Sequence, residues 1–348
     1  TQTIALAATG GLSDPPAYRG RLTQLDLRGE AAGDWRLTRP GPLAFTPPTL
    51  AIGPLCLGDG AGSGGCLEFA QPSAEEWRAS LDIDRFDLAH LAALLPPRLA
   101  ATGTAQAQAR PTGTGEHLRG TARLALPQGR LAWTGQPGDD EEAIDLSGAR
   151  LELDAGDAAL AARLALPLTG LGGIDADLRL ADWRLGAPTR PDQPLRGRLR
   201  ADIQDLGRLE RFIPDIDDLR GRLSADLGLA GTLDDPAFTG EAALNEARFD
   251  VPLIGLKARQ VGFSAVASGR NRIDYQGSAR LGRGQLDLGG TTREQAAGWE
   301  TRLTAAGTDL RIADTKEYQV RLSPDLEITL APDRARITGE VRMPEASL

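Results

Sequence analysis

Aromatic residues make up only 4% of this 348-residue chain, and methionine occurs once. A compact domain of that size fills its centre with large side chains to reach close packing. Apolar content drawn mostly from Leu and Ala therefore argues against a closed globule. No run of eighteen apolar residues occurs in the sequence, which excludes a membrane-spanning helix within it. Lysine is confined to Lys257 and Lys316 and the net charge is −9, which argues against nucleic acid, whose capture runs on clustered Lys and Arg. The two histidines, His90 and His117, offer no metal spacing. No Ser lies in a nucleophile elbow. The plentiful carboxylates sit at polar positions of alternating segments and read as a solvated face. The expectation is a chain with no catalytic constellation, no cofactor and no metal.

What is present is turn-formers and alternation. Gly 42 and Pro 23 suit many short connections between many strands. Leu223, Ala225, Leu227 and Leu229 alternate with Arg222, Ser224, Asp226 and Gly228, the period-two mark of a strand with one apolar face. Asp234-Asp235-Pro236 then signals a turn into a second alternating run. Leu160, Ala162, Leu164 and Leu166 repeat the pattern, as do Leu199 and Ala201. The turn segment Gly231–Gly240 has a counterpart at Gly11–Gly20. A longer match relates Asp82-Ile83, Leu91, Leu94-Leu95-Pro96 and Gly103 to Asp202-Ile203, Leu209, Phe212-Ile213-Pro214 and Gly221. Such repeats predict a stacked, elongated architecture; ordinary strand grammar is the competing explanation. The sequence divides into 1–81, 82–200 and 201–348, the second and third segments each containing a short helix, Asp87–Leu95 and Leu206–Ile213. Asp87 can cap the first, and Pro96 and Pro214 stop the pair.

Smaller features complete the reading. Pro40 to Pro48 reads as a proline-rich connection, and Arg280–Leu288 as a hairpin with glycines at its bend. Gln319–Leu322 and Asp325–Leu330 read as separate strands. Asp139-Asp140-Glu141-Glu142 reads as a solvated hairpin tip, since the calcium-loop spacing is absent. The five tryptophans mostly open or close strands and plug the edge of the core. His90 reads as a helix-surface residue and His117 as a hairpin residue. Cys56 and Cys66 enclose a glycine-rich loop short enough for a disulfide. Free thiols or a metal site are the alternatives, and a disulfide implies a compartment outside the cytosol. Gly60–Gly65 also fits G-x-G-x-x-G, a weak match without a following helix. A chain that opens at Thr1 inside an alternating pattern and stops at Leu348 reads as a piece of a longer protein.

The opening module, the Cys56/Cys66 hairpin followed by the Leu88–Pro96 helix and Gly103, and the C-terminal run resemble the TamB family. In that run, Gly307-Thr308-Asp309-Leu310, Val320–Leu326 with its Leu-Ser-Pro-Asp-Leu, and Ile337–Ala346 carry the most specific similarity. The resemblance implies an AsmA-like translocation and assembly subunit of Gram-negative bacteria, anchored in the inner membrane, crossing the periplasm as long β-structure and meeting the outer-membrane barrel TamA. It implies roles in outer-membrane protein assembly and in carrying phospholipid between membranes. The anchor is not in this sequence, so the resemblance points to a periplasmic part of the conduit.

Together these observations predict an all-β protein: an elongated, curved sheet, taco-like or solenoidal, with an apolar groove and two short helices. At about 4.8 Å per strand, ~18 to 20 strands would extend on the order of 90 Å. Leu160, Ala162, Leu164, Leu166, Leu199, Ala201, Leu223, Ala225, Leu227, Leu229 and Ile254 are the candidate groove lining, contacting phospholipid acyl chains. A scaffold for barrel assembly and autotransporter secretion, pairing nascent strands with a sheet edge, is the alternative.

Overall fold

A computed structural model describes residues 3–14, 16–29, 33–115, 117–133, 143–156, 158–184, 188–269, 271–295, 298–315 and 317–347. The acidic segment Asp139–Glu142, Pro15 and Lys316 lie outside these residues. Two units emerge, one of Thr1–Thr169 with Ala176–Gln193, the other of Gly170–Asp175 with Pro194–Leu348. Both are antiparallel β-structure, as the alternation predicts. No described helix is long and apolar enough to cross a membrane.

The first unit contains β1 (Thr3–Ser13), β2 (Ala17–Arg28), β3 (Trp35–Leu37), β4 (Gly41–Thr46), β5 (Thr49–Gly58), β6 (Gly64–Gln71), β7 (Glu76–Asp87), a 3₁₀ helix (Leu88–Leu94), β8 (Leu99–Thr114), β9 (His117–Trp133), β10 (Ala143–Asp145), β11 (Ala149–Gly156) and β12 (Ala159–Leu168). Each strand pairs with the next, except that β3 and β4 both bridge β2 to β5, and that β9 pairs with both β10 and β11. The proline-rich connection expected at Pro40–Pro48 contains a strand, β4. Pro40, Pro47 and Pro48 flank it, and Pro42 sits near its start, where proline is tolerated in a sheet. The unit boundary falls within β13 (Gly172–Ala181).

The second unit continues with β14 (Leu195–Ile203), a second 3₁₀ helix (Leu206–Phe212), β15 (Asp217–Gly231), β16 (Pro236–Val251), β17 (Leu256–Gly269), β18 (Arg272–Gln295), β19 (Gly298–Asp314), β20 (Gln319–Ala331) and β21 (Arg334–Ser347). From β14 to β21 every strand pairs with its successor. The long β18 is extended throughout but doubles back at Gly282-Arg283, where Gly282 has φ +68°. Past that point Glu294 N–H reaches the Asn271 carbonyl at 3.3 Å, so the glycine hairpin expected there is present. The two strands expected at Gln319–Leu322 and Asp325–Leu330 are one, β20. Its Ser323 Oγ accepts the Asp309 N–H at 2.9 Å, beside a bulge against β21.

Register shifts recur along the second unit, among them bulges in β15, β16, β17 and β19. In these four strands a non-glycine residue at the bulge lies in the left-handed region: Asp218 (φ 51°), Glu246 (52°), Gln260 (49°) and Asp309 (51°). A bulge inserts one residue and resets which side chains face in. Next to these bulges lies the buried cluster of Ala258, Leu281 and Leu310, packed by Phe249, Leu256, Val261, Leu286, Ile312 and Leu322. Arg222–Glu246 (2.9 Å) and Arg248–Asp218 (3.1 Å) pair across the bulged strands.

The two helices are copies of one device, which supports the internal repeat. Asp87 and Asp205 each accept a backbone N–H two residues on, at 2.9 Å. Each helix buries its first leucine, Leu88 or Leu206. The stopping prolines are followed at equal spacing by Gly103 (φ +114°) and Gly221 (φ +135°). A Cβ at Gly103 would lie 2.2 Å from the Gln128 carbonyl oxygen, and one at Gly221 2.9 Å from the Ala247 Cα. Both positions thus need glycine for conformation and for space.

Little of either unit is a closed core. Among the described residues, large hydrophobic side chains such as Leu67, Leu124, Phe263 and Leu330 are exposed in both units. Replacing Gly103 or Gly221 by Ala should cost roughly 1–3 kcal/mol through strain and backbone displacement. Gly11→Ala, with nothing within 4 Å of the added Cβ, should leave stability unchanged. Denaturant melts of the three variants check this; equal midpoints for all three would contradict it.

Candidate functional site

Side chains directly opposed in a ladder share a face, so register sorts the alternating residues into two surfaces. In the first unit Leu67, Leu81, Ala109, Ala122, Leu153 and Ala162 follow one another from β6 to β12. The adjacent row runs Ile83, Ala107, Leu124, Leu151 and Leu164. Leu160 stands opposite Ala155 on the same face, and Leu166 continues the alternation along β12. The intervening residues, Asp82, Gln108, Arg123, Glu152 and Arg163, form the reverse face. There Arg110 meets Asp82 at 2.7 Å. No second layer is needed on the polar side, yet the apolar side is not covered either: Leu67 is 46%, Leu124 41% and Leu153 37% exposed.

The second unit repeats the arrangement. One row holds Leu199, Leu227, Gly240, Ala267 and Ile273; the next holds Ala201, Ala225, Ala242, Ala265 and Tyr275; a third holds Ile203, Leu223, Leu244, Phe263 and Gly277. Leu229 stands opposite Gly197 and Phe238. Beyond the β18 turn, Leu288 lies over Gly277, its Cβ 3.6 Å from where a Cβ there would be. The face continues through Ala305 and Leu326, and through Leu303, Ile328 and Ile337. A cleft of about 330 Å³ opens on it, lined by Phe263, Tyr275, Leu288, Leu303 and Ile328 among others. On the reverse face Arg198 and Arg200 approach Asp226 at 2.6 and 3.7 Å. The Arg198 hydrogen bond, helped by both guanidinium charges, holds the Asp226 carboxyl below its ordinary value. Of the candidate lining residues, Ile254 stands apart. It occupies the β16–β17 turn, where its carbonyl accepts the Asp314 N–H at 3.0 Å.

Cys56 and Cys66 are directly opposed on β5 and β6 and form a disulfide, with Cα atoms 4.0 Å apart. Of the three readings open from sequence, the structure has the disulfide. The hairpin it ties holds a polar cluster that the sequence did not announce. Asp59 Oδ1 accepts N–H bonds from Ala61 at 2.7 Å and Ser63 at 2.9 Å. Asp59 Oδ2 faces His90 Nε2 at 3.3 Å, and the Asp59 side chain is 4% exposed. His90 Nδ1 lies 3.0 Å from the Asp87 carbonyl oxygen. The imidazole also packs on Phe86 (5.4 Å) and Trp35 (5.7 Å), rings that stack on each other at 5.9 Å. His90 is therefore a packed link between the hairpin and the helix, not the helix-surface residue expected. Burial works against ionising Asp59, but the Ser63 hydroxyl and the Ala61, Ser63 and Gly62 amides together hold its carboxyl below the ordinary value.

Among the described residues no cluster of His, Cys, Asp and Glu has metal-binding geometry. Comparison with known families gives two matches. A model described as "TamB, N-terminal domain" matches residues 2–244, and one described as "TamB C-terminal domain" matches residues 274–348. The C-terminal match contains Asp309 and Ser323, whose hydroxyl accepts the Asp309 N–H. No solved structure matches the chain.

Two outcomes follow from the hairpin. Replacing Cys56 and Cys66 by Ser should lower stability by up to roughly 3 kcal/mol and leave the apolar faces unchanged; two titratable thiols in the denatured, unreduced wild type would show the bridge absent. For Asp59 the folded value is depressed, so its contribution is present above the unfolded value of about 3.9 and is lost as pH falls through the folded value. Asp59→Asn should flatten the acid limb of a pH–stability curve below about pH 4. An unchanged limb would mean that Asp59 contributes nothing there.

Proposed function

The chain belongs to the TamB family, and on that premise we propose that it is a periplasmic segment of a bridge-like protein that carries phospholipid between inner and outer membranes. The family is associated with outer-membrane biogenesis. Acyl chains lie on the apolar face of each unit, which acts as an open groove, and the head group stays in water at its rim. The observation that carries this reading is the pairing of two opposite faces on one ladder. Rows of Leu, Ala and Ile remain near 40% exposed at Leu67, Leu124 and Leu223, while the reverse face is occupied by ion pairs such as Arg198–Asp226.

The energetics suit carriage better than capture. Each methylene removed from water contributes about 0.8 kcal/mol, so ten laid on the face gain on the order of 8 kcal/mol before ordering costs. That gain is nearly the same at every position along a row of similar side chains. Sliding therefore meets small barriers, and no residue needs to react. TamA remains the expected outer-membrane partner of the full protein, engaged through parts that need not lie in this chain.

Leu227→Asp puts a carboxylate between Leu199 and Gly240 on the apolar face. It should cut phospholipid recovered with the purified chain at least fivefold, read by lipid mass spectrometry, with a melting curve showing that the variant folds. Asp226→Asn, on the reverse face, should leave recovery unchanged. Wild-type protein without lipid, but crosslinked in cells to unfolded barrel protein, would replace carriage with the scaffold reading.

A further inference from the structure

The apolar face of the second unit is interrupted by a chain of three hydroxyls. Thr292 on β18 and Thr301 on β19 are directly opposed, with Oγ1 atoms 2.8 Å apart. Thr292 Oγ1 also donates to the Tyr275 Oη at 3.0 Å. Thr292 is 7% exposed, so these bonds are sheltered from solvent. Tyr275 stacks on Phe263 at 6.2 Å, and both line the 330 Å³ cleft with Leu288, Leu303 and Ile328. A volume of that size is at the lower end of small-ligand sites.

Counting donors fixes the chemistry. Each hydroxyl has one proton. If Thr292 gives its proton to Tyr275, it must receive that of Thr301. The Tyr275 proton is then the uncommitted one, at the end of a polarised chain that makes it a stronger donor. It stands among Phe, Leu and Ile side chains, so a matching ligand supplies an acceptor attached to hydrocarbon. A charged head group does not fit, because no cation is among the described residues that line the cleft.

We infer that Tyr275, Thr292 and Thr301 form a subsite that receives the ester carbonyl of a diacyl lipid, with Tyr275 donating to the carbonyl oxygen. The inference rests on the lipid-carrying reading and adds a preference to it. The ester group marks the depth at which a lipid sits on the face: hydrocarbon on the Leu288 and Ile328 side, glycerol and head group beyond Tyr275. A face that is otherwise uniform thereby acquires one station where the lipid pauses.

The test compares a dioleoyl phosphatidylethanolamine with its dialkyl ether analogue, which has the same chains and head group but no carbonyl. Binding of each to the purified chain is measured for wild type, Tyr275→Phe and Thr292→Val, with melting curves for all three. Wild type should bind the ester form about fivefold more tightly, the range expected for one added hydrogen bond. Tyr275→Phe should bring ester binding down to the ether level and leave ether binding unchanged. Thr292→Val, which frees the phenol from its donor, should reduce the preference without abolishing hydrocarbon binding. Equal binding of ester and ether by wild type, or a preference that survives Tyr275→Phe, overturns the subsite while lipid carriage stands. Failure of wild type to bind either lipid overturns both.

Discussion

An antiparallel ladder satisfies its backbone hydrogen bonds laterally and sends successive side chains to opposite faces. It needs no second layer to hold its polar backbone, only a reason to tolerate the apolar face that alternation creates. Everything distinctive here depends on that separation of duties. Strand pairing, tied by ion pairs such as Arg198–Asp226 and Arg110–Asp82 on the polar side, holds the sheets together. The apolar rows are then released from the task of packing a core. Where true burial is needed it is local: under the two Asp-capped helices, beneath the disulfide hairpin, and around Ala258, Leu281 and Leu310 next to the column of bulges.

The same constraint accounts for the composition. Large aromatics would fill the face they stand on; Ala109, Ala122, Ala225, Ala242 and Ala265 leave it low and open. The aromatics that are present work elsewhere or at particular points. Trp35 and Phe86 clamp His90, Phe69 stacks on Trp77 at 6.3 Å, and Arg98 lies 5.9 Å from the Trp133 ring. Phe263 and Tyr275 are the pair that stands in the second unit's apolar cleft.

Alternation made much of this legible in the sequence. Leu223 to Leu229 and Leu160 to Leu166 lie on strands, with the face assignment that period two requires. The repeat relating Asp82–Gly103 to Asp202–Gly221 was readable because its proline and glycine mark a fixed backbone event, a helix stop followed by a left-handed residue. The bulges were not readable: Asp218, Glu246, Gln260 and Asp309 are ordinary polar residues, and nothing local says that they adopt positive φ. Pro40–Pro48 misled because proline density signals a connection, while β4 needs only six residues between the flanking prolines. Ile254 was expected in the groove lining, but it belongs to a turn whose carbonyl contact is with Asp314, sixty residues away in sequence. The Asp59–His90 link joins the loop of the β5–β6 hairpin to the first 3₁₀ helix, and no spacing rule connects them.

The central claim, that lipid lies on one face of these sheets and not the other, is open to a single direct measurement. A photoreactive residue placed in turn at positions 150 to 155 of β11 samples both faces along one strand. The account predicts phospholipid adducts from 151, 153 and 155, where Leu151, Leu153 and Ala155 stand in the apolar rows, and none from 150, 152 and 154. Adducts at 150, 152 and 154, or equal yields at all six positions, would contradict it.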